Sequence, residues 1–205
     1  MKKLVASINK HLGQEALSER LLSTAFTGGW KTFGPKLKEA VKKAQARGKT
    51  YTYDVFLSAP MAAYTADKDY RAARRKVKKV FDALTLGCGL KVFWAAEKIE
   101  SLDDFDTYDI SVADDLLALE GSRYFTLLYP EKMATSSLFE AGYALALRRP
   151  SRYFAPSPEI LPYLMRALGG QGQKVWIHTH PEWKDYDDLV KKMKTNHKKW
   201  FPPDL

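Results

Sequence analysis

Beyond residue 50 the chain alternates between two kinds of hydrophobic pattern. Five short runs rich in β-branched and aromatic residues read as strands: YTYDVFLSAP from Tyr51, LKVFWA from Leu90, RYFTLLYP from Arg123, SRYFA from Ser151 and QKVWIHT from Gln173. Segments with helical apolar spacing follow each of them. In DKDYRAARRKVKKVFDALTLG the spacing directs Tyr70, Val77, Val80, Phe81 and Leu84 toward a core and leaves RAARRKVKK as a wet face. The other helices expected are ISVADDLLALEG, the segment from Met133 to Pro150, residues 158–168 and residues 183–199. Most of the strands are apolar without strict alternation, which suits burial on both faces. The fold class expected is therefore α/β: a five-stranded parallel sheet flanked by helices and joined by right-handed crossovers. Ligands in such sheets bind beyond the carboxyl ends of the strands.

Residues 1–50 follow a different rule. Leu4, Val5, Ile8, Leu12, Ala16 and Leu17 have amphipathic helical spacing, TGGWKTFGP breaks it, and Pro35 opens a second helix that ends at Gly48. This predicts a basic helical extension, 1–50, ahead of an α/β domain, 51–205. The net charge of +9 is concentrated there: residues 1–50 hold 11 Lys/Arg against three Asp/Glu, and the rest of the chain 22 against 21. A basic arm on a neutral body fits docking onto a partner protein or self-assembly into a homo-oligomer better than it fits a nucleic-acid surface. The single cysteine, Cys88, makes no internal disulfide and no zinc site, so a cytoplasmic setting is expected. No secretory signal is expected at the N-terminus, and no apolar run approaches the roughly 18 residues of a membrane span.

The strand ends then supply the candidate site. After strand one, Ser58, Ala59, Pro60 and Met61 open a small, uncharged loop that leads into a helix at Thr65 or Asp67, where free backbone N–H groups can hold a phosphate. No Walker or Rossmann glycine fingerprint accompanies it. Trp94 ends strand two as a stacking surface or as core. Asp114 and Asp115 read as helix caps or as ligands of sugar hydroxyls. After strand three come Tyr129, Ser136, Ser137 and Glu140. The helix that carries Glu140 is apolar nearly all round, the mark of a helix packed inside a domain. Ser137 and Glu140 match a capping box, yet the same acid falls at the mouth of the cleft. His178 and His180 share a face but lack the partners a metal needs, so no metal is expected.

The stretches YDVFLSAP, ADDLLALEGSRYFTLLYP and, most specifically, Ser-Ser-x-x-Glu-x-Gly-Tyr-Ala-Leu-Ala at residues 136–146 resemble the bacterial TIR-like proteins and the nucleoside 2-deoxyribosyltransferases. That resemblance covers about residues 51–180 and implies a flavodoxin-like sheet. It makes Glu140 the catalytic residue, places Trp94 near a nicotinamide, and gives Asp114 or Asp115 a role in binding or protonating a base. It implies an enzyme that consumes NAD as substrate, with no prosthetic group, and a place in antiphage defence. The alternatives are a deoxyribosyltransferase or nucleotide N-glycosidase, and a non-catalytic TIR-type scaffold. The loop after strand one departs from both families' patterns.

Overall fold

The computed structural model describes residues 51–169 and 174–203. The helices expected within residues 1–50, and the docking role of that basic arm, lie outside the described residues. Five strands, β1 (Tyr53–Ser58), β2 (Val92–Phe93), β3 (Ser122–Leu128), β4 (Ser151–Phe154) and β5 (Val175–His178), alternate with helices α1 (Asp67–Asp82), α2 (Tyr108–Glu120), α3 (Ser136–Ala146), α4 (Tyr163–Arg166) and α5 (Tyr186–Trp200). All strand pairs are parallel, in the order β2-β1-β3-β4-β5. This is the flavodoxin-like order, whose first strand lies at the point where the winding reverses.

The chain divides into two compact units. The larger, Tyr53–Phe105 with Ser122–Leu205, holds the whole sheet. Asp106–Gly121 belongs to the other. Within that second unit α2 is entered through Thr107 and closed at Gly121, whose N–H reaches Leu117 O at 2.9 Å. Asp114 and Asp115 therefore fall in mid-helix, and neither is a cap.

In the larger unit the strand register sorts side chains between two faces. Val55 and Leu57 of β1 join Val92, Tyr124, Leu128 and Phe154 in one core, closed by Tyr70, Val77, Val80 and Phe81 of α1 and by Leu189 and Met193 of α5. Phe56 points the other way, tilted against Phe93 at 5.1 Å and stacked on Phe125 at 5.8 Å, building an aromatic row across three strands. The alternation of faces is thus real, but both faces are apolar, which is why the sequence shows runs and not a polar–apolar alternation.

Several element boundaries differ from expectation. The helix expected over 158–168 is a 3-10 turn, Pro158–Ile160, followed by the single turn α4. Pro162 forces the residue before it out of helical geometry, and Leu161 is accordingly extended at φ −69°, ψ 146°. Strand two shrinks to Val92–Phe93, an edge paired only with β1. The last helix starts at Tyr186 instead of 183, because Asp185 caps it by accepting the N–H of Asp188 at 2.8 Å. Trp183 instead folds back in the preceding turn and donates its indole N–H to His178 O.

Candidate functional site

The predicted capping box at the start of α3 does not form. Thr135 is the N-cap and its side chain accepts the N–H of Ser137. Moving the cap two residues upstream places Ser137 and Glu140 on the helix face that also carries Ala141 and Ala144, the i, i+3, i+4, i+7 stripe of a one-sided helix. These four are its buried residues, whereas Phe139 is 62 % exposed, so α3 is not enclosed all round. The stripe faces the sheet, and α3 packs on β3. The chain leaves α3 in a Schellman turn: Arg148 adopts φ 54°, and the Arg149 N–H returns to Ala144 O at 2.9 Å.

Ser58 is the last residue of β1 and shares its face with Phe56, the face away from the α1–α5 core. Here the two stretches meet: Ser58 Oγ donates to Glu140 Oε2 at 2.5 Å. Both residues are buried, Ser58 to 2 % and Glu140 to 7 % exposure. Oε1 accepts no hydrogen bond among the described residues. Burial pushes the carboxyl up to about 7, and the Ser58 hydrogen bond pulls it the other way. A carboxyl so placed is divided between its two protonation states near neutral pH.

The remaining predicted residues take other positions. Ser137 lies on the Glu140 side of α3, 1 % exposed, with no hydrogen-bond partner for Oγ among the described residues; Ser136 is exposed. Tyr129 is buried, and its hydroxyl donates to Met133 O at 2.5 Å and accepts from Met133 N at 3.0 Å, fixing the loop that leads into α3. Ala59 and Pro60 begin a 3-10 turn, and Met61 is drawn into the α1 core. The start of α1 carries its own acids, Asp67 and Asp69, and Asp67 already accepts the Leu102 N–H and the Arg71 guanidinium. That helix end is electrostatically satisfied, which disfavours an anion. Trp94 is core: 3 % exposed, 5.6 Å from the Phe81 ring and under the Arg74 guanidinium at 5.7 Å. Asp114 and Asp115 are half-buried in the second unit.

One cluster escaped the sequence reading. Arg152, in the middle of β4, is 6 % exposed and sits against Trp176 at 4.5 Å and Trp200 at 5.6 Å. Its Nε donates to Trp200 O at 3.0 Å, and Nη1 lies 3.1 Å from His178 Nε2. Arginine is donor only, so His178 Nε2 accepts and Nδ1–H donates to Glu182 at 2.8 Å. Burial lowers Arg152 to about 10 and lowers His178 below its ordinary value. A charged residue inside an apolar strand was the available signal. His180 instead bonds through Nδ1 to Trp183 O. No cluster of three or more metal-ligating side chains occurs among the described residues.

The larger unit carries an open cavity of about 510 Å³ beside Trp176, His178 and Arg166, and another of about 440 Å³ between α1 and α5. Neither is lined by Glu140. Among the described residues no helix is long and apolar enough to cross a membrane. The chain matches no family model, no curated protein and no solved structure. Its class is therefore defined by fold and site together: a flavodoxin-like α/β protein with a buried serine–glutamate pair at the carboxyl end of β1.

Proposed function

We propose that this chain is a TIR-like enzyme that cleaves the nicotinamide–ribose bond of NAD, with Glu140 as its catalytic carboxylate. The observation that carries the reading is the buried Ser58–Glu140 pair at the strand ends, 2.5 Å apart. In the proposed step the bond between C1′ and the ring nitrogen breaks and its electron pair leaves with nicotinamide, which becomes neutral. The electron-poor sugar carbon meets Glu140, as an ion pair or as a glycosyl ester, before water or another nucleophile adds and loses a proton. A cationic ring needs no general acid, so one carboxylate suffices. NAD enters as substrate, and the site calls for no metal and no prosthetic group. The carboxyl is almost covered, so turnover includes an opening step. Antiphage defence in a bacterial cytoplasm, and assembly through the basic residues 1–50, are parts of the same proposal.

The test is to incubate the full chain with NAD, with deoxynucleosides and with nucleoside monophosphates, and to follow free nicotinamide and free base by chromatography. Nicotinamide release that Glu140→Gln lowers at least about a hundredfold supports the reading. Undiminished release by that variant removes Glu140 from the chemistry. Base release without nicotinamide release moves the assignment to a deoxyribosyltransferase or nucleotide N-glycosidase. Release of neither favours the non-catalytic scaffold.

A further inference from the structure

We propose that Ser58 is the positioning residue of this site: its hydroxyl clamps Oε2 of Glu140, holds the carboxylate charge in place, and leaves Oε1 as the oxygen that meets the sugar carbon. The inference rests on the glycosidic reading of Glu140 and assigns the two carboxylate oxygens different duties. A hydroxyl donor 2.5 Å from a carboxylate oxygen has the length of a charge-assisted bond. The bond joins positions 82 residues apart, so it fixes the α3 carboxyl against the end of β1 and not merely within its own helix. Ser58 is 2 % exposed and sits at the last paired position of β1, in register with Leu127 of β3, so its backbone is fixed by the sheet. Among the described residues it is the one hydrogen-bond partner of the Glu140 carboxyl. Ser137, three residues earlier on the same helix face, has a buried hydroxyl that makes no hydrogen bond among the described residues, to the carboxyl or elsewhere.

Two forces therefore oppose each other at Glu140. Burial favours the protonated acid, which cannot stabilise a cationic sugar. The Ser58 hydroxyl favours the carboxylate, which can. Removing the hydroxyl leaves burial unopposed, so the fraction of useful carboxylate at neutral pH falls.

The experiment labels the full chain with carbon-13 at the glutamate side-chain carboxyl and follows Glu140 by NMR from pH 4 to 9, its signal assigned by its loss in Glu140→Gln. Ser58→Ala is expected to raise the titration midpoint by about one pH unit, the size a hydrogen bond to a charged group gives. Ser58→Cys, nearly the same shape with a weaker donor, is expected to lie between. Ser137→Ala is expected to leave the midpoint in place. If the chain cleaves NAD, the acidic limb of kcat moves upward by the same amount in Ser58→Ala while KM changes little. An unchanged or lowered midpoint in Ser58→Ala overturns the proposal. Because the titration needs no turnover, a shifted midpoint in a chain that cleaves nothing retires the enzymatic reading alone. Cleavage with an unshifted midpoint retires the role of Ser58 alone.

Discussion

Replacing Glu140 with glutamine removes one titratable group, keeps the side-chain shape and leaves a carbonyl that accepts the Ser58 hydroxyl. The consequence is a change in how stability depends on pH. In the folded chain burial raises the carboxyl to about 7, against an ordinary value of 4.5. Between those two values the folded state holds a proton that the unfolded state has released. Stability from this group is fully present below about pH 4.5 and is lost as pH rises through about 7. At about 1.4 kcal/mol for each tenfold change in proton affinity, the loss comes to about 3 kcal/mol. Glutamine is neutral throughout and shows no such loss. Urea unfolding of both proteins at pH 4.5, 6, 7 and 8.5 measures it. The stability of Glu140→Gln relative to the native chain is expected to rise by about 3 kcal/mol across that range. His178, whose neutral form burial favours, is common to both proteins and cancels in the difference. Parallel curves would refute the claim that burial governs Glu140.

Arg152→Ala strips the His178 ring and the Trp200 carbonyl of a donor and opens a void among aromatic rings, so a loss of about 3 kcal/mol is expected by denaturant unfolding. Arg152→Met keeps the stem against Trp176 and should lose clearly less; equal losses would show that the stem's packing contributes nothing. Arg148→Gly relieves the left-handed backbone at φ 54° in the turn after α3 and is expected to stabilise the chain by up to about 1 kcal/mol, read as a raised Tm. A lowered Tm would mean that the Arg148 side chain contributes more than its backbone costs.

The amino-acid pattern alone determined the α/β class, the strand–helix order and the place of Glu140 just after the third strand, at the start of a helix. Those features are local: period 2 or 3.6 and the proline that closes a run can be read within about ten residues. Pro162 shows the same kind of signal overlooked, since the break it imposes between 158 and 168 is also local. The capping choice was not settled in this way. Thr135 and Ser137 are both competent caps, and sequence favours whichever has an acid three residues on. Only the packing of α3 on β3 selects Thr135, because that register turns Glu140 inward and away from its own helix end. Trp94 likewise had two equally local readings, and the core beneath α1 decided between them. The pairing of Ser58 with Glu140 and the caging of Arg152 by Trp176 and Trp200 belong wholly to tertiary structure. Each joins side chains from separate elements, brought together by strand order and register. Those follow from how every apolar face in the sheet is covered at once, and no single stretch of sequence carries that information.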